Sequence, residues 1–128
     1  MSSGQEASVY GMIGEEGFDR LTTAFYRQVP ADDLLGPMYP ADDLSAARER
    51  LRDFLIYRFG GPQHYIEQRG HPRLRGRHAP FAVTPAARDR WLKLMRAAIA
   101  EADLPGEAVA IMDPFFEHSA DFLVNRPG

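Results

Sequence analysis

No cysteine occurs among the 128 residues. This excludes a disulfide framework, a thiolate metal site and a thiol nucleophile. Lysine is nearly as scarce: Lys93 is the only one, so the rest of the 15 basic residues are arginines. Long apolar runs are also lacking. The longest aliphatic stretch, Ala108 to Met112, is five residues, far short of a membrane span. Met1 to Ser8 has neither the basic start nor the apolar block of a secretory signal. There is no Gly-x-Gly-x-x-Gly, no phosphate-binding loop and no Gly-x-Ser-x-Gly elbow. These absences lead to the expectation of a cytoplasmic protein with no membrane partner.

The apolar fraction, 45%, suits a globular chain, and the length suits one domain with a buried core. The domain is expected over residues 8–128, after a disordered tail at 1–7. A net charge of −3 argues against a nucleic-acid partner, which wants a broad positive field. Four arginines nevertheless crowd into nine residues: Arg69, Arg73, Arg75 and Arg77. Guanidinium groups at that density suit carboxylates or phosphates. A solvated loop is the alternative reading.

Four segments show helical periodicity and none shows sustained alternation, so the expected class is all-α. The first spans about 8–28, with Phe18, Leu21, Phe25 and Val29 on one face, a break among Gly11, Gly14 and Gly17, and an end at Pro30. The string Pro-Ala-Asp-Asp-Leu at 30–34 and 40–44 reads as two helix starts capped by aspartate, the first only a short turn. The second helix spans about 43–59, with Leu44, Ala47, Leu51, Phe54 and Leu55 inward and Arg48, Glu49, Arg52 and Asp53 outward. Gly60-Gly61-Pro62 stops it. A short amphipathic piece follows at 63–69. Gly70, Pro72, Gly76 and Pro80 then exclude a long helix over 70–81. Thr84-Pro85 starts a third helix running to about Ala102, with Ala87, Trp91, Leu94, Met95 and Ala98 along its stripe. The fourth spans about 106–124, with Val109, Met112, Phe116, Ser119, Ala120 and Leu123 as its stripe. Pro114 is expected to kink that helix or shift its start.

Histidine and polar aromatic residues carry the candidate chemistry. His64, His71 and His78 recur at seven-residue spacing, but Gly70 and Pro72 interrupt any helix that would align them on a metal. His78 leads through Ala79-Pro80-Phe81 toward the core, where an imidazole can serve as an axial ligand to iron or be satisfied by backbone carbonyls. Tyr26, Tyr39 and Trp91 are neutral donors able to meet at one cavity.

The segments Tyr39-Pro40-Ala41-Asp42-Asp43-Leu44, Gly60-Gly61-Pro62, Gln68-Arg69-Gly70-His71-Pro72-Arg73-Leu74-Arg75-Gly76-Arg77-His78-Ala79-Pro80-Phe81 and Arg88-Asp89-Arg90-Trp91-Leu92 resemble the bacterial truncated haemoglobins of group II. The likeness spans Val9 to Pro127. Gly76 and Pro114 depart from the family pattern, as does Arg58-Phe59 before the double glycine. The resemblance implies a two-over-two helical sandwich enclosing haem b, with His78 as the proximal ligand and sole metal-binding residue. It assigns Tyr26, Tyr39 and Trp91 as the distal donors that stabilise a ligand. Ala47 and Leu51 match the distal helix, and Arg77, with Tyr65 and Arg75, lies near the haem propionates. Phe54, Phe81, Met95 and Phe116 supply the apolar slot.

The implied activity is reversible binding of O2 and other diatomic gases (NO or CO), or of peroxide, with slow O2 release. That suits O2/NO or peroxide redox chemistry, such as NO dioxygenation, rather than bulk transport. It requires an unidentified reductase, in a monomer or homodimer. The alternatives are a haem-based gas or redox sensor acting through a separate partner, and a haem-free module using its arginines on a phosphate or acidic partner.

Overall fold

The structure, a computed structural model, describes residues 6–39, 41–62 and 84–124. Its helices are α1 (Val9–Gln28), α2 (Leu44–Arg58), α3 (Pro85–Ala102) and α4 (Gly106–Leu123), with short 3-10 turns at Val29–Ala31, Gly36–Met38 and Ala41–Asp43. No strand occurs among the described residues.

The glycine-weakened start of α1 breaks at Gly14, whose φ of 65° and ψ of 177° lie outside the helical region and suit a residue without a side chain. Beyond it, Phe18, Leu21, Phe25 and Val29 are all 0% exposed, as their spacing on one face predicts. This stripe makes α1 the hub of the fold. It packs most extensively against α3 and α2 and also meets α4. Gln28 Nε2 donates across to the Leu94 carbonyl of α3 at 3.0 Å.

The start of α2 differs from the sequence expectation. Asp43 sits at its N-cap but makes no side-chain cap bond. Its carboxylate instead accepts a hydrogen bond from Arg50 at 2.9 Å. Ala47, Leu55 and Ile56 are buried, while Leu44, Leu51 and Phe54 are half-buried. Arg48 and Arg52, expected to point outward, turn to α1 and meet Asp19 at 2.9 and 3.2 Å. An exposed carboxylate on the neighbouring helix provides the reason, since a long guanidinium arm reaches it while its stem covers apolar surface.

The helix stops where its glycines predict. Gly60 takes a φ of +93°, and the Gly61 N–H bonds back to the Ile56 carbonyl at 2.8 Å. The early chain docks on this end. Glu6 pairs with Arg58 at 2.7 Å, and the Tyr10 N–H donates to the Phe59 carbonyl at 2.9 Å.

Thr84 caps α3 by accepting the Ala87 N–H at 3.1 Å, and Pro85 occupies the first turn. The far end closes on Asp103 in the left-handed region. Pro114 neither ends α4 nor shifts its start, and the helix continues through it. The residue is exposed. Ala108, Met112, Phe116 and Ala120 bury the inner face of α4. Outside, Arg96 on α3 reaches Asp113 at 2.9 Å and Glu117 at 3.3 Å on α4.

Aromatic rings join the helices through the core. Phe59, after α2, lies 6.1 Å from Phe18 and 6.5 Å from Phe116 between ring centroids. Phe116 lies 5.8 Å from Trp91, which lies 5.5 Å from Phe25. The seam therefore ends next to Tyr26.

Candidate functional site

Tyr26 follows Phe25 on α1, so it sits at the edge of the buried stripe rather than at its centre. Its ring meets Phe25 edge-on at 5.0 Å. On its other side it meets Tyr39 edge-on at 5.5 Å. Tyr39 comes from the connection between α1 and α2, directly after the turn Gly36–Met38. Two of the three expected donors are thus in contact. The third, Trp91, joins them through Phe25. Its ring is half-buried, and its indole N–H makes no hydrogen bond to any described residue. A packed indole without such a partner is a donor facing something other than the protein's described core.

Electrostatics keep both phenols neutral. Burial pushes Tyr26 far above the ordinary phenol range, and the charge of Tyr39 and a hydrogen bond to it push the same way. Burial likewise raises Tyr39, against the opposing effects of the hydrogen bond with Tyr26 and the Arg50 cation. Arg50 and its partner Asp43 therefore stand beside the pair, a neighbourhood the sequence reading missed. Their separation is seven residues, two helical turns, and that spacing was the available signal.

The apolar residues proposed for the site fall into two groups. Ala47 and Met95 lie within the core, 4% and 0% exposed. Leu51 and Phe54 are half-buried and pack on its outer side, as do Tyr39, Trp91 and Phe115. Tyr65, Arg75, Arg77, His78 and Phe81 lie outside the described residues, as do His64, His71, Arg69 and Arg73. Among the described residues, no cluster of histidine, aspartate and glutamate could hold a metal ion.

A family model for bacterial-like globins matches residues 8–121. The chain belongs to the bacterial-like globins. A group 2 truncated hemoglobin of Bacillus subtilis is 38% identical over 117 residues, covering 91% of this chain and 88% of that protein. The solved hemoglobin of Chloroflexus aurantiacus is 47% identical, with a TM-score of 0.88, covering 92% of this chain and 98% of that one. A structure described as a truncated oxygen-avid haemoglobin from Bacillus subtilis is 38% identical, with a TM-score of 0.86, covering 91% and 98%. The fold of this globin is accordingly the two-on-two helical arrangement, as its sequence resemblance implied. No helix among the described residues is long and apolar enough to cross a membrane.

The described wall fits the group that a globin fold implies. A porphyrin needs apolar surface, and Leu51, Phe54, Trp91 and Phe115, from three helices, are half-buried residues of that kind packed against the core. Among the described residues, two neutral phenols and an indole N–H supply hydrogen-bond donors at the edge of the core.

Proposed function

We propose that this globin is a haem b protein that binds O2 and other diatomic gases reversibly, with His78 as the iron ligand and a polar distal pocket that slows O2 release. Haem, when bound, supplies an iron able to coordinate a gas molecule. The carrying observation is the contact of Tyr26 with Tyr39, with Trp91 joined to them through Phe25 and its indole N–H bonded to no described residue. Residues 47, 51, 54 and 95 would hold the porphyrin's apolar face, with Phe81. Arg77, Arg75 and Tyr65 would hold its propionates. A donor-rich pocket suits O2/NO or peroxide redox chemistry, supported by a separate reductase, better than bulk transport. The oxygen-avid description of a 38% identical structure points the same way.

The donors can be counted. Each phenol has one O–H. A bond from one hydroxyl to the other would use one of the two. One O–H and the indole N–H remain for a polarised ligand. Either tyrosine can take over when the other is removed, so single tyrosine substitutions lose less than the pair. Tyr26→Phe/Tyr39→Phe and Trp91→Phe should each release O2 roughly five- to thirtyfold faster, since a hydrogen bond of this kind is worth about 1–2 kcal/mol. Tyr26→Phe alone should change the rate less. The check is stopped-flow O2 dissociation on haem-loaded protein. Unchanged rates in the double variant and in Trp91→Phe would reject the donor set. Hemin that remains spectrally free when mixed with the protein would reject the haem assignment itself.

A further inference from the structure

One carboxylate organises the crossing from α1 to α2. Asp32 Oδ1 accepts the amide N–H groups of Leu34 at 2.9 Å and Leu35 at 2.8 Å. The Asp32 carbonyl accepts the Gly36 N–H at 2.9 Å. The Met38 and Tyr39 amides then close on the Leu35 and Gly36 carbonyls at 2.9 and 3.1 Å. A relay of turns therefore leads from Asp32 to Tyr39, anchored by Leu35 at 2% exposure.

The second oxygen of Asp32 faces another element. It accepts from Arg90 Nη1 at 2.7 Å, and the same nitrogen reaches Asp33 Oδ1 at 2.7 Å. The Asp32 side chain is 7% exposed and that of Arg90 31%, whereas that of Asp33 is 83% exposed. The enclosed pair is the strong one, because a stranded inner charge is costly and an exposed one is screened. Arg90 immediately precedes Trp91 on α3. One ion pair thus ties the segment carrying Tyr39 to the helix carrying Trp91.

We propose that Asp32 and Arg90 are a positioning pair that holds Tyr39 against Tyr26 and so governs how long the pocket retains its ligand. This rests on the gas-binding reading above. Tyr26 and Trp91 stand on long helices packed through Phe25, whereas Tyr39 stands on short turns. Short 3-10 turns have poorer hydrogen-bond geometry than α-helix and open more readily. Donor strength falls steeply with angle and distance, so the least rigid donor benefits most from a clamp.

The test uses Arg90→Gln and Arg90→Lys in haem-loaded protein, which leaves the turns around Asp32 their own bonds. Arg90→Gln should speed O2 dissociation about twofold, the low end of coupling between contacting residues, and by no more than Tyr39→Phe does. Arg90→Lys, which keeps the charge, should recover part of that loss. In a Tyr39→Phe background, Arg90→Gln should add nothing. Amide hydrogen exchange at Leu35, Gly36, Met38 and Tyr39 should quicken in Arg90→Gln. Unchanged exchange overturns the positioning role, and so does an equal acceleration of dissociation with and without the Tyr39 hydroxyl. Hemin uptake by the unsubstituted protein separates the two claims. Failed uptake overturns the gas-binding reading and the retention role together. Normal uptake with either contrary result overturns the positioning role alone.

Discussion

Tyr26 and Tyr39 show how burial selects a protonation state. Desolvation raises both phenols, so each remains an uncharged donor well into the alkaline range. In the unfolded chain a tyrosine loses its proton near about pH 10. The folded chain holds the proton longer, so the unfolded state binds fewer protons above that point and stability falls as pH rises. The stabilisation is complete below about pH 10 and declines above it. Urea midpoints should therefore drop on the alkaline side, and Tyr26→Phe should flatten the drop. Asp32 has the opposite character. Burial alone would raise it, but hydrogen bonds from Arg90, Leu35 and Leu34 outweigh that effect and hold it below the usual carboxylate range. Much of this site was legible one residue at a time. Trp91 lies on the apolar stripe of its helix and Tyr26 at the edge of another. The Asp32–Arg90 pair was not legible, because partners 58 residues apart leave no periodic mark in a sequence.

At the scale of elements, the stop signals were legible and their causes were not. Gly60-Gly61-Pro62 announces the end of α2, yet what requires glycine at position 60 comes from the other end of the chain. A Cβ built there would lie 1.9 Å from the Ala7 carbonyl oxygen, on a backbone with φ of +93°. Gly60→Ala combines a clash with a strained conformation and should cost about 2 kcal/mol or more, read as a lower thermal midpoint. Asp43 and Pro114 show the limits of local rules. Asp43 has a capping residue's chemistry, but Arg50 competes for its carboxylate. Pro114 has a helix breaker's chemistry, yet the helix runs unbroken through it, where Met112 and Phe116 pack on the core and offset the lost backbone bond. The segment 63–83, which carries His78 and all four clustered arginines, falls outside the described residues.

Across the whole molecule, stability divides between a buried hub and a charged exterior. Leu21 is 0% exposed at the centre of α1, and Leu21→Ala should cost about 2–5 kcal/mol in urea unfolding. Arg96, half-exposed and paired with Asp113 and Glu117, should cost less than about 1 kcal/mol when replaced by alanine. A contrast in the other direction would place the fold's strength outside its core. The all-helical class and the positions of the described helices were legible because amphipathic stripes repeat at helical spacing. The inward turn of Arg48 and Arg52 toward Asp19 was not, since it depends on which helix lies alongside. The aromatic seam has a practical corollary. Trp91 is the single tryptophan, so all indole fluorescence originates where α1, α3 and α4 meet. A porphyrin seated on that wall would absorb the emitted energy, and cofactor loading could be followed without any attached dye.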